Sequence, residues 1–208
     1  EAKKYIQDTY YISEEKANLS LEISANEIEI LKNIDYEQGY SVYIGIPFCP
    51  SICSYCSFSS YPIGLWKKRV DEYVDAVCKE LSYIGAMAKQ NGKKLNTVYV
   101  GGGTPTTLEA EQMDRLLSHL EANFSFEDLK EITVEAGRPD SITREKLEVL
   151  KAHNIGRISI NPQTMQQKTL HEIGRWHPIQ PVKEYFIYEL TAEKLRKLEI
   201  AMENVIKY

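Results

Sequence analysis

Cysteine is scarce in this sequence. There are four in 208 residues, too few and too unevenly placed for the disulfide framework of a secreted domain. Positive charge is also in deficit. Twenty-five Lys and Arg against 30 Asp and Glu give a formal net charge of −5, which leaves no basic footprint for nucleic acid and no polybasic patch for a membrane surface. No apolar run approaches the roughly 20 residues of a helical membrane span, so no membrane span is expected, and no signal-peptide pattern is found. Exact repeats and low-complexity segments are absent as well. The expectation is a chain of a reducing compartment, with the cytoplasm as the default. At 43% hydrophobic residues it can bury a core and is not disordered. The first residue is Glu1 rather than Met, so the sequence reads as a piece of a longer product.

The cysteines that are present are concentrated. Cys49, Cys53 and Cys56 follow one another as C-x3-C-x2-C directly after Val42, Ile44 and Ile46, whose alternation predicts a strand. Pro47 ends that strand, since proline cannot donate to a sheet ladder. Three thiolates on one loop can hold a metal centre without closing it. A [4Fe–4S] cluster takes thiolate ligands, usually four, so three would leave one iron open for chemistry. A disulfide uses only two of the three. Zinc would need a fourth ligand from afar, such as His119, His153, His171 or His177. Cys78 reads as a small hydrophobe on a helix face.

Strand and helix then alternate. Val70, Val74, Val77, Cys78, Leu81 and Ile84 share one face of a helix over 67–90, which Asn91-Gly92 stops. Thr97–Val100 predicts a second strand, ending in Gly101-Gly102-Gly103-Thr104. A helix over 109–123 turns Met113, Leu116, Leu117 and Leu120 inward, and Glu131–Ala136 is a third strand. Ser141 or Thr143 caps a helix carrying Leu147 and Leu150. Arg157–Ile160 is a fourth strand, followed by Asn161-Pro162-Gln163 and a helix near 166–173 that ends at Gly174. Upstream, Leu19, Leu21 and Ile23 alternate as a short strand would. Downstream, 191–207 has the pattern of an amphipathic helix.

This order predicts an α/β fold with a parallel sheet and crossover helices. In such sheets ligands bind at the carboxyl ends of the strands, so the four strand ends should share one rim. Each element there also has a plain explanation. The glycines could be only a tight turn, Glu135 an exposed strand-end carboxylate, and Gln163 a loop residue. Their convergence on a three-cysteine loop favours a site.

The motifs C-x3-C-x2-C with Tyr55 before its last cysteine, Tyr43-x-x-Ile46-Pro47-Phe48-Cys49, Gly101-Gly-Gly-Thr-Pro105, Glu135, Arg157-x-Ser159-x-x-x-Gln163 and Gly174-Arg175-x-His177 together resemble radical S-adenosylmethionine (radical SAM) enzymes. Within these they resemble the oxygen-independent coproporphyrinogen III oxidase (HemN-like) family, nearest its HemZ-type branch. The resemblance implies a [4Fe–4S] cluster on Cys49, Cys53 and Cys56, with S-adenosyl-L-methionine on the fourth iron. It implies cofactor contacts from Tyr43, Tyr55 through its backbone, Gly102, Gly103, Thr104, Glu135, Gln163 and Arg175, the last suited to a carboxylate. No catalytic side chain is implied, since a radical cut from the cofactor carries the chemistry. The implied reaction is oxidative decarboxylation of propionates to vinyls, giving protoporphyrinogen IX. The implied partners are a tetrapyrrole substrate and a reductant protein such as a flavodoxin or ferredoxin.

The sequence departs from the oxidase at Phe58, where a further cysteine is common, at Gly45 in place of a histidine, and at Asn161 in place of a glycine. Phe58 also occurs in relatives thought to carry heme, so a non-catalytic heme-delivery role, or another radical SAM activity, is the alternative. The fold expected is a partial (βα) barrel, with four of the family's six βα units visible. Residues 1–36 read as an N-terminal appendage or the end of a preceding domain, 37–177 as the radical SAM core, and 178–208 as a divergent helical tail.

Overall fold

The structure is a computed structural model and describes residues 1–179; the amphipathic pattern at 191–207 lies outside them. The chain divides into two compact units, 1–39 and the remainder from Tyr40 onward.

The first unit is helical. Helix α1 spans Ala2–Tyr10 and α2 spans Glu14–Leu31. The strand expected at Leu19–Ile23 is therefore a helix. Ser13 accepts from the Lys16 N–H, and Glu14 and Glu15 occupy the first turn. Cap and macrodipole together favour helix and outweigh a short alternation, and Leu19 and Ile23 are left exposed.

In the second unit the four expected strands form one sheet, with order β1 (Gly39–Ile46), β4 (Lys94–Gly102), β5 (Glu131–Glu135) and β6 (Arg157–Ser159). Strands β4 and β5 pair in parallel from Thr97↔Glu131 to Val100↔Val134, and β5 and β6 from Thr133↔Arg157 to Glu135↔Ser159. Parallel neighbours need crossovers, which α5 (Ala110–Asn123) and α6 (Arg144–Ala152) provide. The short helix α3 (Ile63–Trp66) and the long α4 (Val70–Gln90) lie between β1 and β4 in sequence, and α7 (Gln167–Glu172) follows β6. Two short strands that periodicity did not announce, β2 (Phe48–Cys49) and β3 (Tyr61–Pro62), pair in parallel beside the sheet.

The core lies between the sheet and its helices. Val42, Ile44 and Ile46 of β1, Val98 and Val100 of β4, and Ile132 and Val134 of β5 pack with Val70, Val74, Cys78 and Leu81 of α4. Met113, Leu116, Leu117 and Leu120 of α5 and Leu150 of α6 complete it. Helix α5 starts on a reciprocal capping box between Glu109 and Gln112, and α6 on Thr143, which accepts from the Lys146 N–H. Helix α4 ends as expected, with Gly92 at φ 62°.

One inward position differs. Ile84 is 40% exposed, and Gly85 takes the buried place. A Cβ on Gly85 would lie 2.5 Å from the Asn123 carbonyl oxygen of α5. Alanine is the better helix former by about 1 kcal/mol, but forcing a methyl group against backbone costs roughly 1–3 kcal/mol. Gly85→Ala is therefore expected to lower the urea midpoint, while Gly64→Ala, in α3 with nothing near the added methyl group, raises it slightly.

Candidate functional site

The sheet face away from the core carries the alternate residues of each strand. There Tyr43 of β1 stacks on Tyr99 of β4, with ring centroids 5.8 Å apart and planes within 9°. The Tyr99 hydroxyl donates to Glu135 Oε1 at 2.5 Å. That bond to a carboxylate, with desolvation second, pushes the Tyr99 phenol up to about 12. Desolvation and then the Glu135 charge raise the Tyr43 phenol as well. Gly101 permits the arrangement, because a Cβ there would meet the Tyr99 ring at 2.7 Å and the Tyr43 hydroxyl at 3.1 Å. Tyr43 and Glu135 are thus linked, with Tyr99 as a go-between that the sequence reading did not single out. Its signal was its position in β4, out of phase with the buried Val98 and Val100.

The cysteine loop leaves this rim through a closed neck. Phe48 and Cys49 pair with Tyr61 and Pro62, and the Tyr61 N–H donates to the Pro47 carbonyl at 2.8 Å. The glycine triplet lies directly against the neck. The Gly103 N–H donates to the Ile46 carbonyl at 2.7 Å, and the Thr104 N–H to the Phe48 carbonyl at 2.8 Å. Thr104 Oγ1 lies 3.3 Å from Cys49 Sγ. A Cβ on Gly103 would stand 2.7 Å from the Phe48 carbonyl oxygen and 3.0 Å from Cys49 Sγ. Gly102 has φ 106°, and a Cβ on it would lie 2.9 Å from the Ile46 carbonyl oxygen. Bare backbone is what lets these two segments meet.

The far side of the loop is held by the β5 and β6 ends and by the segment after α7. The Ser54 N–H donates to the Ile173 carbonyl at 3.0 Å, and Ser51 Oγ to the Gly174 carbonyl at 2.7 Å. Gly174 has φ 77° and sits under the Ile52 carbonyl. Arg175, 5% exposed, sends Nη1 to the carbonyls of Gly137 and Asn161, tying the β5 and β6 ends together. Among the described residues its Nε has no partner, nor has Nε2 of the buried His177. Burial, the largest influence, pushes the His177 imidazole down, with the Arg175 and Arg138 charges acting the same way and the Pro178 carbonyl and Asp140 opposing. The Tyr55 phenol is raised, chiefly by desolvation, while it interacts with both Arg175 and Cys53.

Arg138, a residue the sequence reading passed over, stands at the centre of this side. It is 2% exposed, forms a forked ion pair with Asp140, and donates to the backbone and hydroxyl of Ser51. Its Nη1 also reaches Cys53 Sγ at 3.5 Å. The only sequence signal was an arginine between Gly137 and Pro139 at a strand end.

The structure therefore brings Cys49, Cys53, Tyr55, Gly103, Thr104 and Arg175 into one neighbourhood, with Tyr43 and Glu135 on the adjoining face. Cys56 follows one turn after Cys53, its N–H donating to the Cys53 carbonyl at 3.0 Å. Gln163 is not brought into contact with this group. It is exposed, with φ 70°, beyond the end of β6. Two of the histidines weighed as zinc ligands are engaged on the helical side, His119 with Ser82 and His153 between Asp114 and Glu121. Cys78 is buried in the core. Among the described residues, no three His, Cys, Asp or Glu side chains are arranged to hold a single metal ion. The donor set suits a thiolate-bound cluster. The glycine triplet packs bare backbone against the Cys49 neck, and the Arg175 Nε is an unused donor among the described residues.

A three-cysteine loop at the carboxyl rim of a parallel sheet, with bare glycine backbone beside it, is the arrangement of a radical SAM domain. The family model of the radical SAM superfamily matches residues 43–190. The chain belongs to that superfamily and, within it, to the HemN-like family. It is 40% identical over 188 residues to the oxygen-independent coproporphyrinogen-III oxidase-like protein HemZ of Bacillus subtilis, covering 89% of this chain and 38% of that protein. It is 39% identical over 166 residues to the heme chaperone HemW of the same organism, covering 79% of this chain and 40% of that protein. Among solved structures it matches the radical SAM enzyme coproporphyrinogen III oxidase HemN of Escherichia coli, with a TM-score of 0.63 at 26% identity, over 74% of this chain and 35% of that one. The chain thus spans about two fifths of the length of the curated relatives it matches. Its fold is a four-stranded α/β partial barrel of the radical SAM type. Among the described residues no helix is long and apolar enough to cross a membrane.

Proposed function

We propose that the chain is the cofactor-binding part of a radical SAM enzyme that acts on a tetrapyrrole, by oxidative decarboxylation of propionate side chains to vinyl groups. The observation that carries this is the meeting of the cysteine loop with the glycine triplet, Cys49 Sγ lying against Gly103 and Thr104. Cys49, Cys53 and Cys56 would hold a [4Fe–4S] cluster, and Tyr43, Tyr55, Gly102, Gly103, Thr104, Glu135, Gln163 and Arg175 would surround S-adenosyl-L-methionine. When bound, this pair supplies one-electron cleavage of the sulfonium and so the means to abstract an unactivated hydrogen.

The chain's own residues do the positioning. Thr104 holds the Cys49 sulfur from the side opposite the loop. Glu135, already accepting from Tyr99, has remaining lone pairs for an amine or hydroxyl. Gly102 and Gly103, bare of side chains, let the β4 end pack directly against the Cys49 neck. Arg175, with Nη1 committed to two carbonyls, keeps Nε for a carboxylate. The small-molecule partner would be a tetrapyrrole, and the electron would come from a reductant protein such as a flavodoxin or ferredoxin, with the cytoplasm as the setting. The appendage at 1–36, the core at 37–177 and the tail at 178–208 are proposed as the functional divisions of the chain.

A second reading is heme delivery without turnover. It is favoured by the likeness to HemW and by Phe58, an exposed aromatic on the cysteine loop where a further thiol would suit an oxidase. One experiment separates the two. The anaerobically reconstituted protein, with a chemical reductant, S-adenosyl-L-methionine and coproporphyrinogen III, is expected to yield products lighter by one and then two losses of carbon dioxide and two hydrogens. Cofactor cleavage with stoichiometric heme binding and no such products would favour delivery. No cofactor cleavage at all would count against the enzyme reading.

A further inference from the structure

Arg138 carries more than a brace requires. Its guanidinium is fixed from below. Nε and Nη2 fork onto Asp140 at 3.0 and 2.8 Å, and the Arg138 carbonyl accepts from Ser141 Oγ, itself 2.6 Å from Thr106 Oγ1. Nη2 then reaches Ser51 Oγ at 3.0 Å, and Nη1 the Ser51 carbonyl at 3.1 Å. These bonds alone would pin the loop. Yet the same Nη1 is also aimed at Cys53 Sγ at 3.5 Å. Burying a guanidinium is costly unless its charge is matched, and its carboxylate partner, Asp140, lies at the other end of the fork and is partly exposed. The inner end faces a sulfur that would be a thiolate when it ligates iron.

We propose that Arg138 is a positioning residue for the cluster. It fixes the Cys53 corner and, by donating Nη1–H to that sulfur, raises the cluster's one-electron reduction potential. The inference rests on the reading that Cys49, Cys53 and Cys56 hold a [4Fe–4S] cluster. The physical reason is charge. Reduction adds one electron, and a donor to a ligating sulfur stabilises the more negative state. The effect is strong because the guanidinium is almost fully shielded from water. Hydrogen bonds to cluster sulfurs are a general means of setting potential; what is particular to this chain is that a loop arginine from the β5 end supplies one.

The test is a redox titration of the full chain after anaerobic reconstitution, read by the electron paramagnetic resonance signal of the reduced cluster, with iron and sulfide counted in each sample. Arg138→Gln combined with Asp140→Asn removes the cation without leaving its carboxylate unpaired. This double variant is expected to lower the reduction equilibrium constant at least tenfold, a midpoint about 59 mV more negative for a one-electron couple. Ser51→Ala removes the hydroxyl brace but keeps the cation at the sulfur, and is expected to lower thermal stability with the midpoint unchanged. A loaded double variant that titrates with the wild type overturns the proposal, leaving Arg138 as a brace only.

A second measurement needs no variant. In protein labelled with 15N-arginine, the reduced cluster is expected to show a 15N hyperfine coupling. Its absence overturns the proposal even if the double variant holds no cluster. Failure of the wild type to take up iron and sulfide would instead sink the cluster reading on which this one stands.

Discussion

Alanine at Cys49, Cys53 and Cys56 together is expected to leave a folded protein that retains neither iron nor sulfide after anaerobic reconstitution and cleaves no S-adenosyl-L-methionine. Folding should survive because the thiols contribute little to the core. Cys56 is only half-buried, and all three lie on or at the neck of a loop fixed by other groups. The neck is closed by backbone pairing of Phe48 and Cys49 with Tyr61 and Pro62, and the far side by Ser51, Ser54 and Arg138. Circular dichroism should match the wild type, while the charge-transfer absorbance of a cluster falls to baseline. Each single replacement removes one of the three proposed ligands and should likewise lose most of the cluster. Full iron and sulfide in the triple variant would refute the ligand assignment.

Gly103→Ala is expected to have the next largest effect, although it adds a single methyl group. The new Cβ would fall 2.7 Å from the Phe48 carbonyl oxygen, 3.0 Å from Cys49 Sγ and 3.1 Å from the Ile46 carbonyl oxygen. Two of these are backbone atoms in or beside hydrogen-bonded strands, so they cannot swing away as a side-chain tip can. The chain must separate the β4 end from the cysteine neck, which breaks the bonds from Gly103 to Ile46 and from Thr104 to Phe48. Overpacking of this kind costs roughly 1–3 kcal/mol. The displaced Cys49 should also lose its place beside Thr104. The expected outcome is a lower urea midpoint together with reduced cluster occupancy. Gly92→Ala is a useful contrast. That glycine has φ 62° but open space around it, so the change should cost stability of roughly 1–2 kcal/mol and leave cluster loading alone. Equal loading in both variants would argue against a close fit between the glycine triplet and the cysteine.

Much of this site was legible because it is local. The cysteine spacing and the proline after Ile46 lie in one short stretch, the glycine run in another, and alternation in β1 showed which of its residues face the helices. The inward side of α5 was equally plain, since Met113, Leu116, Leu117 and Leu120 repeat at helical spacing. What periodicity cannot supply is the identity of the neighbour. Ile84 and Gly85 both lie near the apolar stripe of α4, and only the Asn123 carbonyl of another helix decides that the glycine goes inward. Leu19, Leu21 and Ile23 alternate, but the cap at Ser13 lies outside the alternating stretch and wins. Arg138 was invisible for a stronger reason. Its charge partner Asp140 is two residues away, while the groups it serves are on a loop 87 positions earlier in the chain. Tyr99 could have been found, by noting that Tyr43, Tyr99 and Glu135 all fall out of phase with the buried aliphatic residues of their strands.

The distance between the loop and its anchors has a consequence for biogenesis. Ser51 is secured by groups 87 and 123 positions downstream, so a chain still emerging from the ribosome exposes its thiols long before those anchors exist. Iron delivered at that moment would meet three loose sulfurs on a floppy strand end. If Cys49, Cys53 and Cys56 take up a cluster as proposed, loading during expression is expected to improve when synthesis is allowed to finish before iron becomes plentiful, which iron and sulfide counts per chain would check.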